Sequence, residues 1–347
     1  MKKIFYKFVA LTLTLYNNFF FKKLTVIGKG KIPKDGAIIF SPNHQSALLD
    51  PILVGVTCGK KLYYLTRSDV FRKPYLWLLD AMQTLPVYRI RDGFKNLHRN
   101  QETFKKCYEL LKVKKSLLIF PEGKHHDKYY LQPISKGSSR IGLESLKRNQ
   151  NKKIYLLPVG INYGNKIHPY HNCTVVYGKP IKLNDFFNAY QKKPADALNR
   201  VRRKLEHEMK KCLWLPNNCN DYFTKKNMIN YNTTKKKFKT LKSKIFENDL
   251  DLITEKNKMI FEKAVISFFS FFNLIPLVLL SLILKKIKDS VFHLSIKYLF
   301  GLLIFPLWWA ISFFISVYYF DFYFSLIILG SLVLSLYARQ FLIIKNK

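Results

Sequence analysis

Acidic side chains are scarce in this chain. Over 347 residues, 22 Asp and Glu face 59 Lys and Arg, a formal net charge of +37. So few carboxylates cannot neutralise the cations internally, and the surface calls for an anionic partner: nucleic acid, an acidic membrane or a phosphorylated substrate. Cysteine is also sparse, with five residues at positions 58, 107, 173, 212 and 219. No Cys-x-x-Cys spacing occurs, which excludes a dense disulfide framework and leaves reduced thiols on the cytoplasmic side. His125 and His126 are adjacent and point in different directions, and no Cys or carboxylate set completes a metal site around them. A basic, membrane-tethered nucleic-acid-binding protein is the alternative from another class. It would need clustered aromatic and basic residues on a binding fold, and these are missing, so an anionic lipid membrane is expected as partner and nucleic acid is not.

Long uncharged runs point the same way. Fourteen residues separate Lys7 from Lys22, 21 separate Lys263 from Lys285, 23 separate Lys297 from Asp321, and 17 separate Asp321 from Arg339. A membrane span needs about 20. The first run is short and reads as a helix lying in the membrane interface; Asn17, Asn18 and the phenylalanines after them stand where a signal peptide would need small residues. The last two runs meet at Asp321, flanked by Tyr318, Tyr319 and Tyr323, and read as a hairpin of two spans. The run after Lys263 is expected to bend near Asn273 and Pro276 and return, which keeps Lys285, Lys286, Lys288 and Lys297 cytoplasmic.

Between these ends, strand-like and helix-like segments alternate from about residue 24 to 180, which predicts a mixed α/β sheet flanked by helices. Ala37-Ile38-Ile39-Phe40 reads as a buried strand. It leads into Ser41-Pro42-Asn43-His44-Gln45-Ser46-Ala47-Leu48-Leu49-Asp50-Pro51 and then a helix opening near Ile52. Asp50 before Pro51 reads as a helix cap. The alternative pairs Asp50 with His44, since a carboxylate on one imidazole nitrogen makes the other a base; the two can meet only if the segment between them is a turn. Three more strand-like runs end in polar or turn residues: Leu85-Pro86-Val87-Tyr88-Arg89-Ile90-Arg91, Ser116-Leu117-Leu118-Ile119-Phe120-Pro121-Glu122-Gly123-Lys124, and Ile154-Tyr155-Leu156-Leu157-Pro158-Val159-Gly160. Such endings collect functional groups along one edge of an α/β sheet.

In order and spacing, these four blocks resemble the glycerolipid acyltransferase family, which includes glycerol-3-phosphate and lysophosphatidate acyltransferases, over about residues 20 to 180. Here five residues, not the commoner four, lie between His44 and Asp50, as in a subgroup resembling the glycerol-3-phosphate or dihydroxyacetone-phosphate enzymes. Lys124 stands where the family usually has threonine. The resemblance implies that His44 is the general base and Asp50 orients it. It implies direct attack of a phosphorylated glycerol acceptor on an acyl thioester, with no serine or cysteine nucleophile and no cofactor beyond acyl-CoA or acyl carrier protein as co-substrate. It places Arg89, with Arg91 two residues on, at the acceptor's phosphate; Glu122 and Gly123 at the acceptor's glycerol hydroxyl or a stabilised turn; and Lys136 as a further phosphate contact. The expected reaction is acyl transfer to 1-acyl-glycerol-3-phosphate in phospholipid biosynthesis, with glycerol-3-phosphate or dihydroxyacetone phosphate as alternative acceptor.

The expected organisation is a membrane-interface helix over residues 1–21, an acyltransferase domain over 22–215, a basic connector or helical hairpin over 216–263, and a C-terminal membrane region over 264–347. The catalytic domain is expected on the cytoplasmic face of the cell membrane.

Overall fold

The computed structural model describes residues 2–88, 98–232, 237–247 and 260–345. In chain order, α1 (Lys2–Phe20) and β1 (Lys23–Ile27) are followed by β2 (Ala37–Pro42), α2 (Leu49–Thr57), β3 (Leu62–Arg67), α3 (Leu76–Ala81) and β4 (Thr84–Val87). Then come α4 (Asn100–Lys112), β5 (Ser116–Leu118), α5 (Gly137–Arg148), β6 (Ile154–Tyr163), β7 (Asn172–Tyr177), β8 (Ile181–Lys182), α6 (Phe187–Lys192) and α7 (Pro194–Lys211). The chain continues through α8 (Tyr222–Asn232), α9 (Phe238–Glu247), α10 (Ile260–Phe271), α11 (Leu274–Lys286), α12 (Val291–Tyr319) and α13 (Phe322–Lys345).

The eight strands form one mixed sheet in the order β1-β7-β6-β2-β5-β3-β4, with β8 also on β6. β2 lies between β5 and β6, parallel to both. That central place explains why all six of its residues are buried: parallel strands covered by helices on both faces read as continuous apolar runs. The pleat sends Ala37 and Ile39 into one core with Cys107 and Leu111 of α4 and Val201 and Leu205 of α7. Ile38 and Phe40 face the other core, shared with Leu53 of α2, Phe20 of α1, and Leu294 and Tyr298 of α12. The C-terminal helical region is therefore packed onto the sheet itself.

Most of the expected elements form, and one differs in detail. α2 starts at Leu49, three residues before the expected Ile52, and Asp50 lies inside its first turn rather than at its cap. Residues 216–263 include two helices, and Ile229, Leu241 and Ile245 on them pack against Trp214, Leu215 and Tyr129. α10 and α11 meet at a 106° bend. Asn273 holds that bend: its Nδ2 donates to the Leu332 carbonyl (2.8 Å) and its Oδ1 accepts from Trp309 Nε1 (2.9 Å).

Among the described residues, α12 and the segment Phe322–Ile343 of α13 are helices long and apolar enough to cross a membrane. Large apolar side chains on both stand in the open, including Leu303, Phe314, Ile327 and Leu334. An exposed apolar surface of that kind suggests membrane association. α1 has a matching stripe: Ile4, Phe8, Leu11, Leu15 and Phe19 repeat at helical spacing and are all exposed, while Leu13 and Phe20 face the core.

Candidate active site

β2 ends at Pro42, which has no N–H to continue the ladder. Asn43 takes over with its side chain, donating Nδ2–H to the Ile161 carbonyl (3.0 Å) and accepting from the Ile161 N–H (2.7 Å). The next residue, His44, thus leaves the sheet from a fixed point at the carboxyl ends of β2 and β6, the edge where open α/β sheets bind ligands.

Asp50 brings the turn back on itself. Its Oδ2 lies 2.9 Å from His44 Nδ1 and accepts from the N–H groups of Gln45 (2.7 Å) and Ser46 (2.8 Å). Tyr163 of β6 donates its hydroxyl to Oδ1 at 2.7 Å. The fully buried carboxylate therefore has four hydrogen-bonding neighbours, which fix its position. The helix-cap reading of Asp50 is corrected here: its acceptors serve the turn before α2, not the free amides of the helix. A carboxylate on Nδ1 fixes the tautomer with its proton there and leaves Nε2 as the basic nitrogen. The ring itself is stacked on Phe120, with centroids 3.8 Å apart at 16°.

Glu122 is buried directly behind this turn. Its Oε2 accepts the His44 N–H (2.7 Å) and lies 3.0 Å from His126 Nε2, and its Oε1 accepts the Gln132 N–H (3.0 Å). The His126 N–H donates to the His44 carbonyl (3.1 Å), so both backbone groups of His44 are held by the Phe-Pro-Glu-Gly loop. Gly123 has φ +73°, in the left-handed region glycine enters without strain, and a Cβ there would meet nothing within 4 Å. The constraint on Gly123 is conformation, not space. Of the two roles expected for Glu122, this geometry fits the stabilised turn.

The other expected residues are not joined to this cluster. Arg89 and Arg91 lie outside the described residues. Lys136 precedes α5 and accepts the Arg140 N–H at its carbonyl; among the described residues, no hydrogen bond of the His44 turn involves it.

Several groups were missed by sequence reasoning. Ser295 of α12, 249 positions from Ser46, donates its hydroxyl to the Ser46 carbonyl (2.7 Å) and accepts the Leu49 N–H (3.0 Å). His125 stands edge-on to His44 at 5.6 Å and lies 3.0 Å from Asp289, just before α12. Burial pulls the His125 imidazole below its ordinary value, against the pull of Asp289, and the nearby His44 and Arg67 push the same way as burial. Arg67 ends β3 on the same sheet edge and pairs with Asp69. Beyond it, a cavity of about 620 Å³ is bordered by Asp69, Pro86, Tyr88 and Arg99. Lys166 ties the β6–β7 loop to this edge, donating to the carbonyls of Asp127 and Lys128 over the Tyr129 ring. Burial pulls its ammonium down to about 7. No signal in the sequence links Tyr163, Asp289 or Ser295 to His44, because their proximity comes from tertiary packing alone.

A family model described as acyltransferase matches residues 23–162. The chain is 26% identical over 111 residues to glycerol-3-phosphate O-acyltransferase 2 of Saccharomyces cerevisiae, covering 32% of this chain and 15% of that protein. It is 24% identical over 212 residues to the chloroplastic 1-acyl-sn-glycerol-3-phosphate acyltransferase LPAT1 of Arabidopsis thaliana, covering 57% of this chain and 55% of that one. The crystal structure of the 1-acyl-sn-glycerophosphate acyltransferase PlsC from Thermotoga maritima aligns at 19% identity and a TM-score of 0.43, over 59% of this chain and 80% of that chain. The chain thus spans little more than half, or much less, of the curated relatives it matches. Residues 23–162, which run from β1 into β6 and hold the His44 turn, are similar to an acyltransferase domain.

Proposed function

We propose that this protein is a membrane-bound glycerophospholipid O-acyltransferase that moves a fatty acyl group from a thioester, acyl-CoA or acyl carrier protein, to the free hydroxyl of 1-acyl-glycerol-3-phosphate in phospholipid biosynthesis. The observation that carries this is the 2.9 Å contact between His44 Nδ1 and a buried Asp50 carboxylate, which leaves Nε2 as a base at the sheet edge. The acceptor hydroxyl gives its proton to Nε2 as its oxygen attacks the thioester carbonyl. The tetrahedral adduct then collapses to the ester, and the departing thiolate takes the proton back from the imidazolium. Such general-base help is worth about 10² to 10⁴ in rate.

The cationic cradle for the acceptor's phosphate is assigned to Arg89 and Arg91, whose planar guanidinium groups suit bidentate phosphate binding. Lys136 is a further contact. The exposed apolar stripes of α1, α12 and α13 support attachment to an anionic membrane. The Asp289–His125 contact ties the start of α12 to the catalytic edge, which favours the cytoplasmic face of the cell membrane for the domain together with Lys285, Lys286 and Lys297.

A second reading takes glycerol-3-phosphate or dihydroxyacetone phosphate as acceptor. It is favoured by the yeast glycerol-3-phosphate relative and by the five residues between His44 and Asp50. Membranes containing the protein, supplied with labelled acyl-CoA and each acceptor in turn, should label phosphatidate from 1-acyl-glycerol-3-phosphate; labelled lysophosphatidate from glycerol-3-phosphate alone would establish the second reading. His44→Ala should abolish transfer while membrane association persists, and unchanged activity in that variant would end both. Arg89→Ala should chiefly raise the acceptor's KM.

A further inference from the structure

A cavity of about 760 Å³ lies outside the acyltransferase domain proper, between α1, the β6–β7 loop, α11, α12 and α13. Its two ends differ. Lys285 lies in the last turn of α11, His293 and Lys297 belong to the first turns of α12, and Arg339 and Gln340 to the last turns of α13. The α11–α12 link is short and α13 runs back along α12, so these groups gather at one mouth, beside His168 of the loop. Leu277, Phe305, Trp309 and Val333 line the depth. From Lys297 to Trp309, α12 advances about 18 Å, close to the roughly 15 Å of one leaflet's hydrocarbon.

The mouth is strongly cationic. None of its described lining residues is Asp or Glu. Arg339 donates to Ser270 Oγ (2.8 Å) and has no carboxylate partner among the described residues. The Gln340 carboxamide presents a buried oxygen with no hydrogen-bond partner; turned over, the same amide offers N–H donors to a ligand. A cation and an unsatisfied amide held at the end of an apolar cavity are costly unless an anion with hydrogen-bond acceptors meets them.

We infer that this cavity binds an intact anionic glycerophospholipid of the surrounding bilayer, with the headgroup phosphate at Arg339, Lys297 and Lys285 and an acyl chain in the depth toward Trp309. It is a different place from the His44 site. Phe21, His171 and Tyr163 stand between the two in successive ring contacts, and Tyr163 in turn bonds Asp50. α12 is common to both: Ser295 meets the catalytic turn, whereas Lys297, about 200° further round the helix, meets the cavity. A bound lipid would therefore hold α12 against the turn without entering the reaction.

The test uses the full chain in nanodiscs of phosphatidylcholine doped with phosphatidylglycerol, released into detergent and read by native mass spectrometry. Phosphatidylglycerol should be retained over phosphatidylcholine by about tenfold. Arg339→Gln, which removes the charge, and Leu280→Trp, which fills the cavity, should each erase that preference. Equal retention of the two lipids, or a preference that survives both variants, would overturn the inference. So would displacement by inorganic phosphate alone, which would make this an anion site, or binding of lysophosphatidate but not phosphatidylglycerol, which would make it a substrate site. His44→Ala should retain the lipid as the parent does, so loss of transfer and loss of lipid are separate readings.

Discussion

The His44 turn and the helical region from α10 to α13 are built on opposite principles. At the turn, every carboxylate oxygen of Asp50 and Glu122 has a donor within 3.0 Å, and those donors come from β6, the turn itself and the 122–132 loop. In the helices, many large side chains of α12 and α13 face outward, and the polar contacts join one element to another, such as Asn273 to Trp309 and Leu332, Arg339 to Ser270 and Tyr298 to Asn17. The proposed membrane setting of the helices accounts for that difference. A catalytic base needs a fixed tautomer and position, which directional bonds supply. Helices in hydrocarbon need satisfied backbones and shape, and tolerate a cavity that lipid can fill.

That contrast can be broken at its polar end first. Asp50→Asn keeps the shape but offers one acceptor oxygen in place of two and turns an N–H toward existing donors. Transfer should fall by about 10² to 10⁴ with acceptor KM little changed, as the orienting carboxylate is lost; steady-state kinetics in membranes would check it. Glu122→Ala strips the partner from the N–H groups of His44 and Gln132 and should cost about 3 kcal/mol, read as a lowered denaturation midpoint.

Next in size is a pH effect at the wall between the two regions. His171 is buried against Phe21 and Tyr163, donates Nδ1–H to the His168 carbonyl, and is pulled by burial from 6.5 down to about 4. Because the folded-state value is the lower one, the unfolded chain binds the proton first on acidification. Stability should be complete above about pH 6.5 and fall by about 3 kcal/mol as pH drops toward 4. His171→Asn should flatten that slope in a series of melts across the window. The smallest effect sharpens the link between the regions. Ser295→Ala removes the hydroxyl that donates to the Ser46 carbonyl and shares the Leu49 N–H with it, and should cost about 1 kcal/mol, with a modest drop in kcat that Ser295→Thr restores.

Much of the candidate site was legible from residue order. The Ala37–Phe40 strand, the turn that lets His44 reach Asp50, and the glycine after Glu122 all follow from local chemistry: apolar period, Pro42 and Pro51, and a left-handed backbone. The helix-cap reading of Asp50 failed because a carboxylate two bonds from its backbone can serve either neighbouring turn, and Tyr163 and the Gln45 and Ser46 amides draw it to the earlier one. Glu122 was readable as a site residue but not as the clamp on His44, since its partners lie 78 positions away and on its own loop.

The sequence by itself determined which segments are strands, which helices are amphipathic, which runs are long and apolar enough to span, and that His44 and Asp50 could share one turn. Those properties depend on side chains a few positions apart, where covalent geometry sets the distance. Only the tertiary structure decided that α12 packs on the sheet, that Ser295 reaches the His44 turn and Asp289 the neighbouring His125, and that five cationic or imidazole groups from separate segments gather at one mouth. Their separation along the chain carries no information about distance; it is the shared burial of two sheet faces that brings them together.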